Sequence, residues 1–179
     1  MKNYEKKHYF VVMAIATVVL SPIIIGLMPT IIQGILYDDR TVWLVKTPLR
    51  VYTYFSIACV IFFLGSLAAY FFYSKKIWIA LGGFVLAFVF IVIGSLNYMI
   101  IGEDGIAWHD YPVNEEKSYG WQEVEKVLLV IDDETDEHSY ELYFKDSEML
   151  ALDRKGMENL NSQLLQLRKI YGFTYTRQE

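Results

Sequence analysis

Residues 51–101 constrain this chain more than any other stretch. They form two apolar runs, Val51 to Tyr73 and Ile77 to Ile101, of 23 and 25 residues, separated by Ser74-Lys75-Lys76 alone. Neither run holds an Asp, Glu, Lys, Arg or His. As a helix rising about 1.5 Å per residue, each is long enough to cross about 30 Å of hydrocarbon. So short a connection leaves the helices no room to separate, so the spacing predicts an antiparallel hairpin whose two lysine ammonium groups lie at the lipid headgroups.

Small residues mark a face on each run. Ala58, Gly65 and Ala69 share one side of the first, and Gly83, Ala87 and Gly94 one side of the second. Residues opposed in an antiparallel hairpin have a constant sum of residue numbers. Ala69 with Gly83, Gly65 with Ala87 and Ala58 with Gly94 all share the sum 152, centred on Lys76. That register predicts three levels of small-against-small packing, the contact that lets helices associate in lipid.

A basic head (Lys2, Lys6, Lys7) precedes a further apolar run from Tyr9 to Met28. No small-x-small cleavage pattern follows it, so it reads as an uncleaved first span over residues 9–28 rather than a secretory leader. Pro22 and Pro29 predict that a helix continued toward Tyr37 bends or ends near Pro29. The connection Asp38 to Arg50 carries Trp43, Leu44 and Val45 between charges, and reads as a segment resting at the membrane interface. Tyr37, Tyr52, Tyr73, Trp78 and Tyr98 fall near span ends, where an aromatic belt is expected, and receive no binding role.

Charge divides the chain in the same place as hydropathy. Residues 1–101 carry eight Lys/Arg against three acids, whereas residues 102–179 carry eight against eighteen, a net of −10. Two environments follow: a transmembrane region over 1–101 with spans near 9–28, 51–73 and 77–101, and a solvated acidic domain over 102–179. So acidic a domain repels phosphate backbones, which argues against nucleic acid as a partner. The lone Cys59 excludes an intrachain disulfide, a four-cysteine zinc site and a CxxC motif.

Beyond Gly102 the period changes. Asn97 to Gly102, Ile106 to His109, Lys126 to Ile131, Ser139 to Phe144 and Met149 to Leu152 read as strands, separated by turn-forming residues. Met157, Leu160, Leu164, Leu167 and Tyr171 then form one helical stripe that stops at Gly172. The pattern predicts a small α+β domain, an antiparallel sheet or partial barrel capped by one helix.

Asp104-Gly105-Ile106, the segment Trp121 to Val127, the strand Tyr140 to Phe144 and the helix from Gly156 to Tyr171 together resemble the pleckstrin-homology-like domains of bacterial membrane proteins. The resemblance covers residues 97–172 and implies a curled sheet with a helix plugging its end. The lipid-binding members of that family use a basic phosphate pocket. This domain is acidic, so inositol-phosphate recognition does not carry over.

Candidate chemistry is sparse. The acidic run Asp132 to Glu137 has oxygen ligands for a cation but lacks the glycine and distal glutamate of an EF-hand, and reads as a solvated turn. His109 beside Asp110, and His138 beside Glu137, are strand neighbours whose side chains point to opposite faces. No nucleophile-elbow, metalloprotease, P-loop or dinucleotide motif occurs, and the spans carry none of the ionisable groups that pumps and channels use. The expectation is a multi-pass membrane protein without catalytic activity or cofactor, whose partners are the lipid bilayer and a protein, with no small-molecule substrate evident. Its rivals are an accessory subunit of a membrane enzyme or transporter, and an immunity or stress protein acting through its spans. The three lysines before the first span, against Asp38-Asp39-Arg40 after it, favour a cytoplasmic amino terminus in the cell membrane and an external carboxy-terminal domain.

Overall fold

In the computed structural model, residues 8–132, 137–153 and 160–178 are described. The chain divides into two compact units, Met1–Glu103 with Ala107–Lys117, and Asp104–Ile106 with Ser118–Glu179. This division differs from a single cut after residue 101, because residues 107–117 group with the long helices.

The first unit is built on three helices, α1 (His8–Tyr37), α2 (Leu49–Phe71) and α3 (Lys76–Ser95). Together with the turn before α3, they supply three apolar segments long enough to cross a membrane. α1 runs nine residues past the expected Met28 end and passes through both prolines. Pro22 has no N–H for the carbonyl of Val18, and the Ser21 hydroxyl donates to that oxygen at 2.9 Å instead. A serine beside the proline thus repairs the gap in the helical ladder, the device that lets prolines persist in apolar helices.

α2 and α3 form the expected hairpin around a 3-10 turn, Tyr73–Lys75. The Lys76 ammonium lies 3.4 Å from the centroid of the Tyr73 ring, a cation-π contact that suits a cation at the edge of an apolar layer. α3 stops at Ser95, six residues short of the expected end at Ile101, and the chain continues directly into β2 (Tyr98–Gly102).

The segment expected to rest at the interface is a strand. β1 (Val42–Lys46) pairs antiparallel with β2, with Val45 opposite Ile100 and Lys46 opposite Met99. Trp43 takes the extra position of a bulge between Val42 and Leu44. Val42, Trp43 and Val45 favour extended backbone, and β2 offers a strand edge, so the segment pairs along it. Gly102 makes the approach possible, since a Cβ there would sit 2.5 Å from the Thr41 carbonyl oxygen. β3 (Gly105–His109) and β4 (Lys117–Gly120) complete a sheet of order β1-β2-β3-β4.

The second unit carries β5 (Val124–Asp132), β6 (Glu137–Phe144), β7 (Met149–Asp153), α4 (Leu160–Tyr171) and β8 (Thr174–Gln178). Its sheet has the order β7-β6-β5-β8. The first three strands are antiparallel, whereas β8 lies parallel to β5, with Val127 opposite Tyr175. The sheet is therefore mixed, and a strand follows the helix expected to end the fold. Tyr140, Leu142 and Phe144 are almost fully buried while Glu141 and Tyr143 between them are half-buried, the alternation of a strand with one face on the core. Leu160, Leu164 and Leu167 complete that core, but Tyr171 is exposed rather than part of the stripe. α4 ends where Gly172 turns to φ +76° and its N–H reaches the Arg168 carbonyl at 2.9 Å, a left-handed cap that glycine adopts without strain.

Candidate functional site

The six small residues of the hairpin are placed by a different register. An ideal Cβ on Gly65 would lie 3.2 Å from the Gly83 Cα, and one on Gly94 would lie 3.0 Å from the Tyr54 Cβ. Both pairs sum to 148, one helical turn from the expected 152. The reason lies in the turn: α2 ends at Phe71, so the hairpin is centred on Ser74 rather than Lys76. Gly65 therefore meets Gly83 and not Ala87, and Gly94 receives the ring of Phe55 at 3.4 Å rather than Ala58. Ala58 and Ala87 are buried and line a cleft beside α1, and Ala69 is fully buried.

Polar side chains gather where α1 and α3 end. Gln33 and Asn97 are completely buried. The Gln33 amide nitrogen donates to the Asn97 backbone carbonyl, and the Asn97 amide nitrogen donates back to the Ile93 carbonyl at 2.8 Å. One turn after Gln33, the Tyr37 hydroxyl donates to the Ser95 carbonyl at 3.1 Å. A helix end leaves backbone carbonyls without amide partners; here the side chains of Tyr37 and Asn97 serve two of those at the end of α3, Ser95 and Ile93, and Gln33 serves the Asn97 carbonyl just beyond it. None of the three residues stood out in the sequence for this role. Gln33 lay in a stretch expected to lie beyond the first span, and Tyr37 fitted the aromatic belt.

The cluster continues through rings and carboxylates. Tyr37 and Tyr98 lie with centroids 4.2 Å apart, and Tyr98 meets His109 edge-on at 6.1 Å. The Tyr98 hydroxyl donates to a Glu116 carboxylate oxygen at 2.5 Å. Burial, then the hydrogen bond to Glu116 and its charge, hold this phenol well above the ordinary tyrosine range. A phenol kept protonated at neutral pH donates a fixed hydrogen bond and is poorly suited to exchange a proton in a reaction. Asp110 does not act with His109; its partner is Arg50, at 3.5 Å. That pair is half exposed and contributes about 0–1 kcal/mol. The chemistry of the whole junction is that of a brace tying helix ends to β2.

In the second unit the feature with binding potential is β7. It pairs with β6 alone, so its other edge has no strand partner among the described residues. Leu150 and Leu152 face the core, while Met149 and Ala151 are exposed. Edge strands are commonly guarded by charges or prolines; β7 has no proline and one charge, Asp153 at its end. The turn leading into it is ordered by Tyr119, whose ring stacks on Phe144 at 4.1 Å and whose hydroxyl donates to Asp146 at 2.6 Å. That hydrogen bond, with a smaller contribution from burial, pushes the Tyr119 phenol up to about 12.

Among the described residues no group of three His, Cys, Asp or Glu could hold a metal ion. The middle of the acidic run, residues 133–136, and the Met157 position of the helical stripe lie outside the described residues. No protein-family model matches the chain, and no curated protein matches it.

Proposed function

We propose that the chain is a multi-pass cell-membrane protein that holds a sheet-plus-helix unit at the bilayer surface and binds another protein through the open edge of β7. The observation that carries this reading is the unpaired edge of β7. Its outer edge has no strand partner among the described residues, and its exposed face offers Met149 and Ala151 ahead of the terminal Asp153. Strand addition at such an edge takes its affinity from main-chain hydrogen bonds and its specificity from alternate side chains. No catalytic activity of its own is assigned to the protein, and its other partner is lipid.

The pairing of β1 with β2 supports three crossings. The α1–α2 connection and the chain leaving α3 then lie on one side, and the Tyr73–Lys75 turn and the amino terminus on the other. With Lys75 and Lys76 joining the amino-terminal lysines, the positive-inside tendency puts that side in the cytoplasm and the sheets outside. The likeness to pleckstrin-homology-like domains belongs to the same proposal. It is supported by the antiparallel run β5-β6-β7 followed by a helix, to which β8 is an addition.

The test places a photo-crosslinking amino acid at Met149 of the full-length protein in its native membrane. The reading expects one protein adduct, lost in Ala151→Lys, which puts a charge on the solvent face of the edge, and in Ala151→Pro, which removes a backbone donor. An adduct that survives both substitutions, or that forms only from Ile170 on α4, would overturn the edge as the binding surface.

A further inference from the structure

Three strands of the first sheet reach the helix ends at one level. β2 leaves the end of α3, β1 runs antiparallel to it as far as Lys46, and α2 begins shortly after at Leu49. The Tyr98 ring at the start of β2 meets His109 at the end of β3. The chain between β3 and β4 therefore reverses at the helix end of the sheet and not at the far one.

Two further ties hold that reversal, residues 110–116, to the helices. The Asp110 carboxylate lies 3.5 Å from the Arg50 guanidinium in the first turn of α2. The Tyr111 ring meets His109 edge-on at 5.7 Å and so extends the row of Tyr37, Tyr98 and His109 that starts at the end of α1. The Asp110 carbonyl then closes a tight turn, accepting from the Val113 N–H at 2.9 Å and the Asn114 N–H at 3.1 Å. Tyr111, Pro112 and Val113 are thus kept within one turn of chain of the point where α2 begins.

What they present there is apolar. Val113 is 68% exposed, and Leu49 beside Arg50 is 82% exposed. Tyr111 and Pro112 are exposed as well. Of the neighbouring carboxylates, Asp110 is answered by Arg50 and Glu116 accepts from Tyr98. The exposed Glu115 marks where the loop turns back toward water. A valine held out into water gains nothing, whereas at the boundary of headgroups and acyl chains it leaves water. Tyrosine is enriched at that same depth.

We propose that Tyr111-Pro112-Val113 dips into the headgroup layer beside α2 and anchors the sheet to lipid. The inference rests on the proposal that the three helices span the bilayer. Lipid is the occupant because the helix ends that fix the level of the loop themselves lie in that layer.

The experiment reads nitroxide labels on single cysteines of the full-length Cys59→Ser protein in phosphatidylcholine vesicles, with the relaxing agents on both sides of the membrane. Val113→Cys is compared with Leu49→Cys, with Val60→Cys in the middle of α2, and with Glu103→Cys, roughly 16 Å beyond Tyr98 along β2. Power-saturation electron paramagnetic resonance compares collisions with oxygen, which concentrates in lipid, and with a water-soluble nickel chelate. The oxygen-to-nickel ratio at position 113 should match that at position 49 and exceed that at position 103 several-fold. A ratio at 113 equal to that at 103 overturns the proposal, and so does a label shielded from both agents, the mark of a covering polypeptide. A water-like ratio at position 60 refutes the spanning proposal and the anchor with it, whereas a lipid-like position 60 beside a water-like 113 refutes the anchor alone. If Val113→Cys fails to fold, Tyr111→Cys reads the loop in its place.

Discussion

Replacing Gly83 by leucine tests the register of the α2–α3 hairpin. A Cβ at position 83 would stand 3.2 Å from the Gly65 Cα and 3.9 Å from the Ile61 carbonyl oxygen. Carbon atoms settle about 3.5–4.0 Å apart, so even alanine forces the two backbones apart by a few tenths of an ångström. Leucine adds three more carbons where a backbone already lies, an overpacking that costs about 1–3 kcal/mol. Glycine is itself a poor helix former, and its removal returns up to about 1 kcal/mol. Gly83→Ala should therefore be near neutral and Gly83→Leu a net loss of up to about 2 kcal/mol. Ala87 lines the cleft instead of facing Gly65, so leucine there projects into the cleft rather than against the α2 glycine and should change stability by less than about 1 kcal/mol. Reversible unfolding of the full-length protein in mixed micelles, followed by circular dichroism, reads all three. If Ala87→Leu proves more harmful than Gly83→Leu, the hairpin follows the register centred on Lys76 and the argument from the turn is wrong.

Other consequences can be checked singly. Gln33→Leu leaves the Asn97 carbonyl buried without its donor and should cost about 1–3 kcal/mol in the same unfolding assay. Gly105→Ala should prevent stable folding of the second unit, because φ is +153° and a Cβ would collide with the Tyr119 carbonyl oxygen; limited proteolysis reports the loss. The Tyr119 phenol titrates higher in the fold than in the unfolded chain, so its contribution to stability is complete below about pH 10 and is lost as pH rises through about 12. Denaturant midpoints measured across that range should fall, and Tyr119→Phe should shallow the fall.

The parts of the fold that could be read from residue order are those where one period dominates. Two apolar runs and a turn with two lysines imply the hairpin, and the alternation through Tyr140, Leu142 and Phe144 implies a half-buried strand. What escaped depends on partners distant in sequence. Val42 to Lys46 is too short and too close to charge to declare itself, and becomes a strand because β2 lies alongside it. The Ser21 hydroxyl on the Val18 carbonyl carries α1 through Pro22, a compensation that proline statistics alone do not foresee. The hairpin register missed by one turn because maximising small-on-small contacts ignored where the chain reverses, and the protein sets Gly94 against the Phe55 ring instead. The brace of Gln33, Tyr37 and Asn97 was invisible for the same reason, since each residue alone looks like an ordinary helix-end residue.

The central claim is that three helices cross the bilayer, with the turn before α3 and the β1–β2 pair on opposite sides. Asp39 and Ser74 are both exposed, and with Cys59 changed to serine each can carry the single cysteine of the full-length protein. A membrane-impermeant maleimide added to intact cells should label cysteine at position 39 at once and cysteine at position 74 only after permeabilisation. Labelling of both positions from the same side would contradict the account.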